Sequence, residues 1–117
     1  MEKIVIRRLQ ADDALRVGNI CADITQGSVS EDFVQMLKEQ PHKKEDLSFV
    51  AELDGEVIGY MISTIMTGIF GIKKSAWIST MGVAPAYMGQ RIGEKLAQET
   101  FRMAKEAGLQ DIYTSVQ

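Results

Sequence analysis

The spacing of apolar residues changes several times along this chain, and each change marks an element. Ile4, Val5 and Ile6, with Arg7 and Arg8 behind them, predict a first strand. Residues 9–13 lead into a helix, with Asp12 and Asp13 in its first turn, where the helix dipole favours negative charge. Leu15, Val17, Ile20, Cys21 and Ile24 give that helix one broad apolar face. Gly18 weakens it but permits close packing, and Gln26-Gly27 ends it. Ser28 and Glu31 have the spacing of a capping box. They open a short second helix carrying Phe33, Val34, Met36 and Leu37, which Pro41 stops. Residues 42–46 form a charged loop.

The period then shortens. Residues 48–53 and 56–63 are β-rich runs joined by Asp54-Gly55, which is the strongest short-range hairpin signal. Residues 67–74 (TGIFGIKK) read as a loop or strand edge, and residues 75–83 as a further strand. Trp77, Ile78, Met81 and Val83 predict that this strand is packed on both faces, and Pro85 ends it. A helix follows from about residue 90 to 107, capped by Gly108. Its buried stripe is Ile92, Leu96, Phe101 (or Thr100), Met103, Ala104 and Ala107. Residues 111–117 (DIYTSVQ) read as a last strand.

The element order is therefore β-α-α-β-β-β-α-β, an α/β (α+β) chain. A strand, crossover helix and strand in succession are parallel and right-handed. The sheet is thus mixed, with antiparallel N-terminal strands and a parallel pair flanking the turn at residues 84–93. Neither repeats nor linkers divide residues 1–117, so they form a single domain.

Composition narrows the functional classes. A net charge of −3 argues against a nucleic-acid-binding surface, which needs clustered Lys and Arg. One cysteine, Cys21, allows no internal disulfide and fits a reducing, cytoplasmic setting. Cys21 and the single histidine, His42, have no partners that would make a metal site. The longest apolar run, 57–72, is interrupted by Gly59, Ser63, Thr64, Thr67 and Gly68 and does not predict a membrane helix.

The stretch AWISTMGVAPAYMGQRIGEKL at residues 76–96 carries the candidate chemistry. A strand that enters a helix through a glycine-flanked turn presents free backbone N–H groups, a ready anion site. It is not a P-loop, because no Gly-Lys-Ser/Thr follows the last glycine, and Gly-x-Gly-x-x-Gly is absent. Val83-Ala84-Pro85, then Met88-Gly89-Gln90-Arg91-Ile92-Gly93, then Leu96 resemble the GNAT superfamily of acyl-CoA-dependent N-acetyltransferases. So do the opening residues 4–9 with Asp12-Asp13, and the hairpin ending at residues 55–60.

This resemblance implies a mixed GNAT-like sheet and a chain lacking the family's C-terminal part, a helix and two strands. An uncovered parallel edge would then favour a homo-oligomer. It implies acetyl-CoA as co-substrate, with Met81, Gly82 and Val83 along the pantetheine arm. Met88, Gly89, Gln90, Arg91, Ile92 and Gly93 lie around the pyrophosphate, where the family motif is Gln/Arg-x-x-Gly-x-Gly/Ala. Gly93 matches its last glycine. Met88 stands at its first position, and Arg91 replaces its middle glycine. A side chain at Arg91 either crowds the phosphates or adds an ionic contact to them. In the strand, Gly82 is expected to tolerate the bulge that family members carry there.

The implied reaction is acetyl transfer from acetyl-CoA to a primary amine of a small molecule, a protein N-terminus or a lysine. The alternative is an inactive acyl-CoA-binding or dimerisation module on the same fold. Some family members carry a Glu six residues before the valine, and here that place is Trp77. The tyrosine acid of the family follows the last strand seen here. No catalytic side chain is therefore assigned. Glu31, Glu52 and Tyr113 read as solvated charges and a strand residue before they read as catalytic groups.

Overall fold

The computed structural model describes residues 3–66, 75–109 and 111–114. Five strands form one sheet: β1 (Ile4–Arg8), β2 (Phe49–Leu53), β3 (Glu56–Met66), β4 (Ser75–Val83) and β5 (Asp111–Thr114). Their spatial order follows the chain order. The first four run antiparallel to their neighbours, and β4 and β5 are parallel. This is the mixed sheet expected above. The readings for residues 67–74 and 115–117 lie outside the described residues.

Helices α1 (Ala14–Thr25) and α2 (Glu31–Glu39) cover one face of the sheet, and α3 (Ile92–Glu106) covers the other. Under α3 lie Phe49, Met61, Ala76 and Ile78 against Ile92, Leu96 and Ala104. Under α1 and α2 lie Val50, Tyr60 and Ile62 against Val17, Ile20 and Leu37. Asp54 and Gly55 turn the β2–β3 hairpin with φ of 51° and 83°. Two left-handed residues match the twist of the strands they join.

Four expectations change. First, Leu15 on α1 is 60% exposed and Ile24 is also open, while Ala14, Val17, Gly18 and Ile20 form the buried face. A Cβ at Gly18 would lie 2.7 Å from Val34 Cγ2, so this glycine lets α1 approach α2. Second, the cap of α2 is Ser30, whose Oγ accepts from the Phe33 N–H at 3.2 Å. Glu31 and Asp32 then occupy the first turn, as the dipole favours. Third, α3 starts at Ile92 rather than near residue 90, because the turn before it is left-handed. Its stripe takes Thr100, which donates to the Leu96 carbonyl at 2.9 Å, and leaves Phe101 47% exposed. Ala107 is exposed as well. Fourth, β4 is not buried on both faces, since Trp77 is 41% and Met81 49% exposed.

The β4 bulge also sits elsewhere. Ile62 pairs with Thr80 and Ser63 with Ile78, so Ser79 is the extra residue. Gly82 serves packing instead. A Cβ there would lie 2.7 Å from Ile24 Cδ1 and 2.8 Å from the Tyr60 hydroxyl. The glycine makes room for a phenol beneath the strand.

Candidate functional site

A cleft of about 420 Å³ opens where β4 gives way to α3. Its lining includes Met81, Gly82 and Val83 from the strand and Met88, Gly89, Arg91, Ile92 and Gly93 from the turn and helix start, together with Tyr87. Eight of the nine residues that the sequence singles out thus converge on one space. The ninth, Gln90, lines a neighbouring recess of about 390 Å³ with Arg91, Glu94, Lys95 and Gln98. Tyr87 was not among the nine. It sits in the short turn that Pro85 starts, and its ring also packs against both core clusters.

Each wall has a local cause. Val83 and Ala84 hold the strand to its neighbour until the Ala84 N–H donates to the Ile58 carbonyl at 2.8 Å. Pro85 then starts a single 3-10 turn, closed by the Tyr87 N–H on the Ala84 carbonyl at 2.8 Å. Gly89 at φ 87° and Arg91 at φ 62° reverse the chain into α3. Arg91 holds a left-handed conformation that costs an L-residue about 1–2 kcal/mol. This gives a physical reason for a glycine at the corresponding place in the resemblance motif. At Gly93 a Cβ would meet the Met81 methyl at 3.6 Å, an ordinary contact.

Two sets of main-chain groups are left open around this cleft. The first hydrogen bond inside α3 runs from the Lys95 N–H to the Arg91 carbonyl at 3.1 Å, and no side chain caps the helix. The amides ahead of Lys95 therefore have no acceptor within the helix, and they lie at its positive end. On the strand side, β4 pairs with β5 only from Ser75 to Ile78 among the described residues. From Thr80 onward the edge of β4 that faces β5 has no strand partner among the described residues. An extended chain with alternating donors and acceptors fits such an edge, and an anion fits the amides beyond it.

Beneath Gly82 the sheet holds a polar group that the sequence pattern did not single out. Tyr60 is fully buried, pairs with Gly82 across the strands, and turns its hydroxyl toward Cys21 and Thr80. Burial, and then the contact with Cys21, push the phenol well above its ordinary range, so it stays protonated. No local signal marks it, because its place opposite Gly82 is set by the pairing of β3 with β4, which neither strand records alone.

The other titratable candidates stand apart. Glu52 accepts from Arg7 Nε at 2.6 Å on β2, and Arg7 also makes a two-pronged contact with Asp13 at 2.9 Å on each arm. Glu31 is exposed in the first turn of α2. Tyr113 takes the place beside Trp77 in the parallel register. Among the described residues no group of three or more His, Cys, Asp or Glu is placed to hold a metal ion.

The model of the acetyltransferase (GNAT) family matches residues 15–117. An N-alpha-acetyltransferase of Sulfurisphaera tokodaii is 33% identical over an alignment of 91 positions, covering 72% of this chain and 52% of that protein. The chain thus spans about half the length of this curated relative. Among solved structures, an aminoglycoside acetyltransferase from a soil metagenomic sample, in complex with sisomicin, superposes with a TM-score of 0.82. It is 20% identical, over 97% of this chain and 78% of its own. An aminoglycoside N-acetyltransferase in complex with CoA gives a TM-score of 0.84 at 14% identity, over 100% and 79%. These two likenesses are of fold.

Proposed function

The chain belongs to the GNAT acetyltransferase family, and from that premise we propose that it transfers an acetyl group from acetyl-CoA to a primary amine of a small molecule or a protein. The observation that carries this reading is the continuity of the cleft. From Thr80 the edge of β4, without a strand partner among the described residues, runs into the open amides of the left-handed turn. Met81, Gly82 and Val83 offer their main chain to a pantetheine arm, Met88 lines the cleft beside it, and residues 89–93 offer N–H groups to its phosphates. Gln90 and Arg91 add a polar rim on the outer side of the turn. The solved aminoglycoside acetyltransferase with CoA supports a CoA thioester as the donor.

In this reaction the amine nitrogen bonds to the thioester carbonyl carbon as the carbon–sulfur bond breaks. The amine loses one proton to solvent, and the departing thiolate gains one. The chain's part is to hold the thioester edge-on to β4 and to admit the amine in its uncharged form. Trp77 in place of a strand glutamate favours water as the proton acceptor. The same observation supports the alternative, an inactive acyl-CoA-binding or dimerisation module.

The test is a thermal-shift titration with acetyl-CoA, alongside Gly93→Leu. A ligand at a hundred times its dissociation constant stabilises by about 2.7 kcal/mol, which is roughly 10 °C for a chain of this size. The Gly93 site accepts a side chain without main-chain strain, so the variant folds and its side chain grows into the cleft. Its shift is expected to vanish. An equal shift in both proteins would place the ligand elsewhere. Release of free CoA with an amine panel separates the enzyme from the inactive module.

A further inference from the structure

The row of side chains on the α1/α2 face of β4 leads away from the proposed donor edge toward open surface. Gly82 pairs with Tyr60, Thr80 with Ile62 and Trp77 with Thr64. Tyr60 and Ile62 belong to the core beneath α1 and α2, and Thr64 Oγ1 accepts from Gln40 Nε2 at 3.3 Å at the end of α2. Ala76 and Ile78 point into the opposite core, which turns Trp77 to this face. Along the row, cover by α1 gives out. Tyr60 and Ile62 are buried, Thr80 is half-buried, and Trp77 is open together with Met66 two places beyond Thr64 on β3.

Resting on the acyl-CoA reading above, we propose that Trp77 is a specificity-determining residue. Its indole forms the platform for the group next to the accepting amine, and that group is large and apolar. The direction of the donor sets the place. Phosphates at the turn and a pantetheine arm running back past Val83 and Met81 bring the thioester to the bulge at Ser79 and Thr80. An amine that attacks there carries its neighbouring substituent onto the next residue of the row. That residue is an exposed indole rather than a carboxylate, and residues 76–83 contain no charged side chain. A peptide whose first residue is leucine or phenylalanine fits this surface. A polycationic sugar amine gains little from it, because nothing on β4 pairs with the extra ammonium groups.

Trp77 is the single tryptophan of the chain, so its emission reports this surface directly. The experiment uses the full chain loaded with CoA and short peptides that differ only in the first residue: Leu, Phe, Ser or Glu. Kanamycin serves as the sugar-amine control. Leu and Phe peptides are expected to shift the emission to the blue, while the Ser and Glu peptides and kanamycin leave it unchanged. In turnover with acetyl-CoA, kcat/KM for the Leu peptide is expected to exceed that for the Ser peptide by about 10-fold, the scale of a small apolar pocket. Trp77→Ala should erase that ratio without changing the acetyl-CoA thermal shift, and Trp77→Phe should keep most of it. An emission blind to every peptide while CoA binds would overturn the proposal and leave the donor site standing. A ratio that survives in Trp77→Ala would do the same. Absence of any acetyl-CoA thermal shift would overturn the donor reading and this proposal with it.

Discussion

Position 91 offers a clean separation of main-chain strain from side-chain contact. Arg91 is exposed, holds φ 62° and ψ 24°, and makes no side-chain cap. Replace it once by Ala and once by Gly. Truncating an exposed side chain changes stability by no more than about 0.5 kcal/mol, so Arg91→Ala should fold as firmly as the parent. In ordinary extended or helical backbone, Gly is worse than Ala by about 0.5–1 kcal/mol, because it loses more freedom on folding. In the left-handed region the Ala methyl costs about 1–2 kcal/mol that Gly does not incur. The difference leaves Gly better than Ala by about 0.5–1 kcal/mol, an inversion of the usual order. Urea unfolding followed by circular dichroism, without ligand, reads this as a higher midpoint at unchanged slope. A thermal scan should show roughly 2–4 °C in favour of Gly, since unfolding entropy scales with chain length. If Arg91→Ala proves the more stable of the two, the turn is not left-handed at this position. The geometry of the cleft described above would then be wrong.

Two further outcomes follow from packing and charge. Gly82→Ala places a methyl under 3.0 Å from both Ile24 Cδ1 and the Tyr60 hydroxyl, and overpacking of this kind costs about 1–3 kcal/mol. Adding Ile24→Ala should return part of that loss in denaturant melts. A Gly82→Ala protein as stable as its parent would refute the reading that this glycine makes room for the phenol. Burial alone would raise the Asp13 carboxyl, but the Arg7 guanidinium and the Gln10 N–H outweigh it and hold it below its usual range. Its contribution is therefore complete at neutral pH and fades as pH falls below the ordinary carboxylate value of about 3.9. Asp13→Asn should cost about 2 kcal/mol at pH 7, the scale of a charged hydrogen bond. The gap to the parent should narrow steadily as pH falls below about 3.9 in chemical denaturation, and a gap independent of pH would refute the assignment.

The elements most legible in the sequence were those with a local cause. Asp54-Gly55 needs only its own two residues to turn a hairpin, and Gly108 at φ 82° needs only the helix it ends. The turn at 88–93 was legible in part, because Gly89 at φ 87° marks where the backbone reverses, whereas nothing in the sequence shows that Arg91 is left-handed as well. What escaped depended on partners distant in the chain. Nothing within residues 14–25 says that the sheet contacts Ala14 and Ile20 rather than Leu15. Ser28 and Ser30 both suit a cap, and the choice falls to Ser30 because its main chain is extended at φ −83°, ψ 119°. Phe101 outranks Thr100 in hydrophobicity. Yet the stripe set by Ile92, Leu96 and Ala104 passes through 100, where the hydroxyl is satisfied by its own helix. The place of the bulge is written in the pairing of Ile62 and Ser63 with β4, which no single strand records.

That one extra residue makes β4 two half-strands of opposite phase. Before Ser79 the even positions, Ala76 and Ile78, face α3; after it the odd positions, Met81 and Val83, do so. Alternation, which normally ties every residue of a strand to the next, is cut at Ser79. A substitution at Trp77 therefore has no bearing on which way residues 80–83 point. The second half is held by Tyr60 below and by the turn beyond, and the first by Ala76 and Ile78 in the core. Such a strand allows one end to diversify while the other stays fixed, as a blade is changed without remaking the handle.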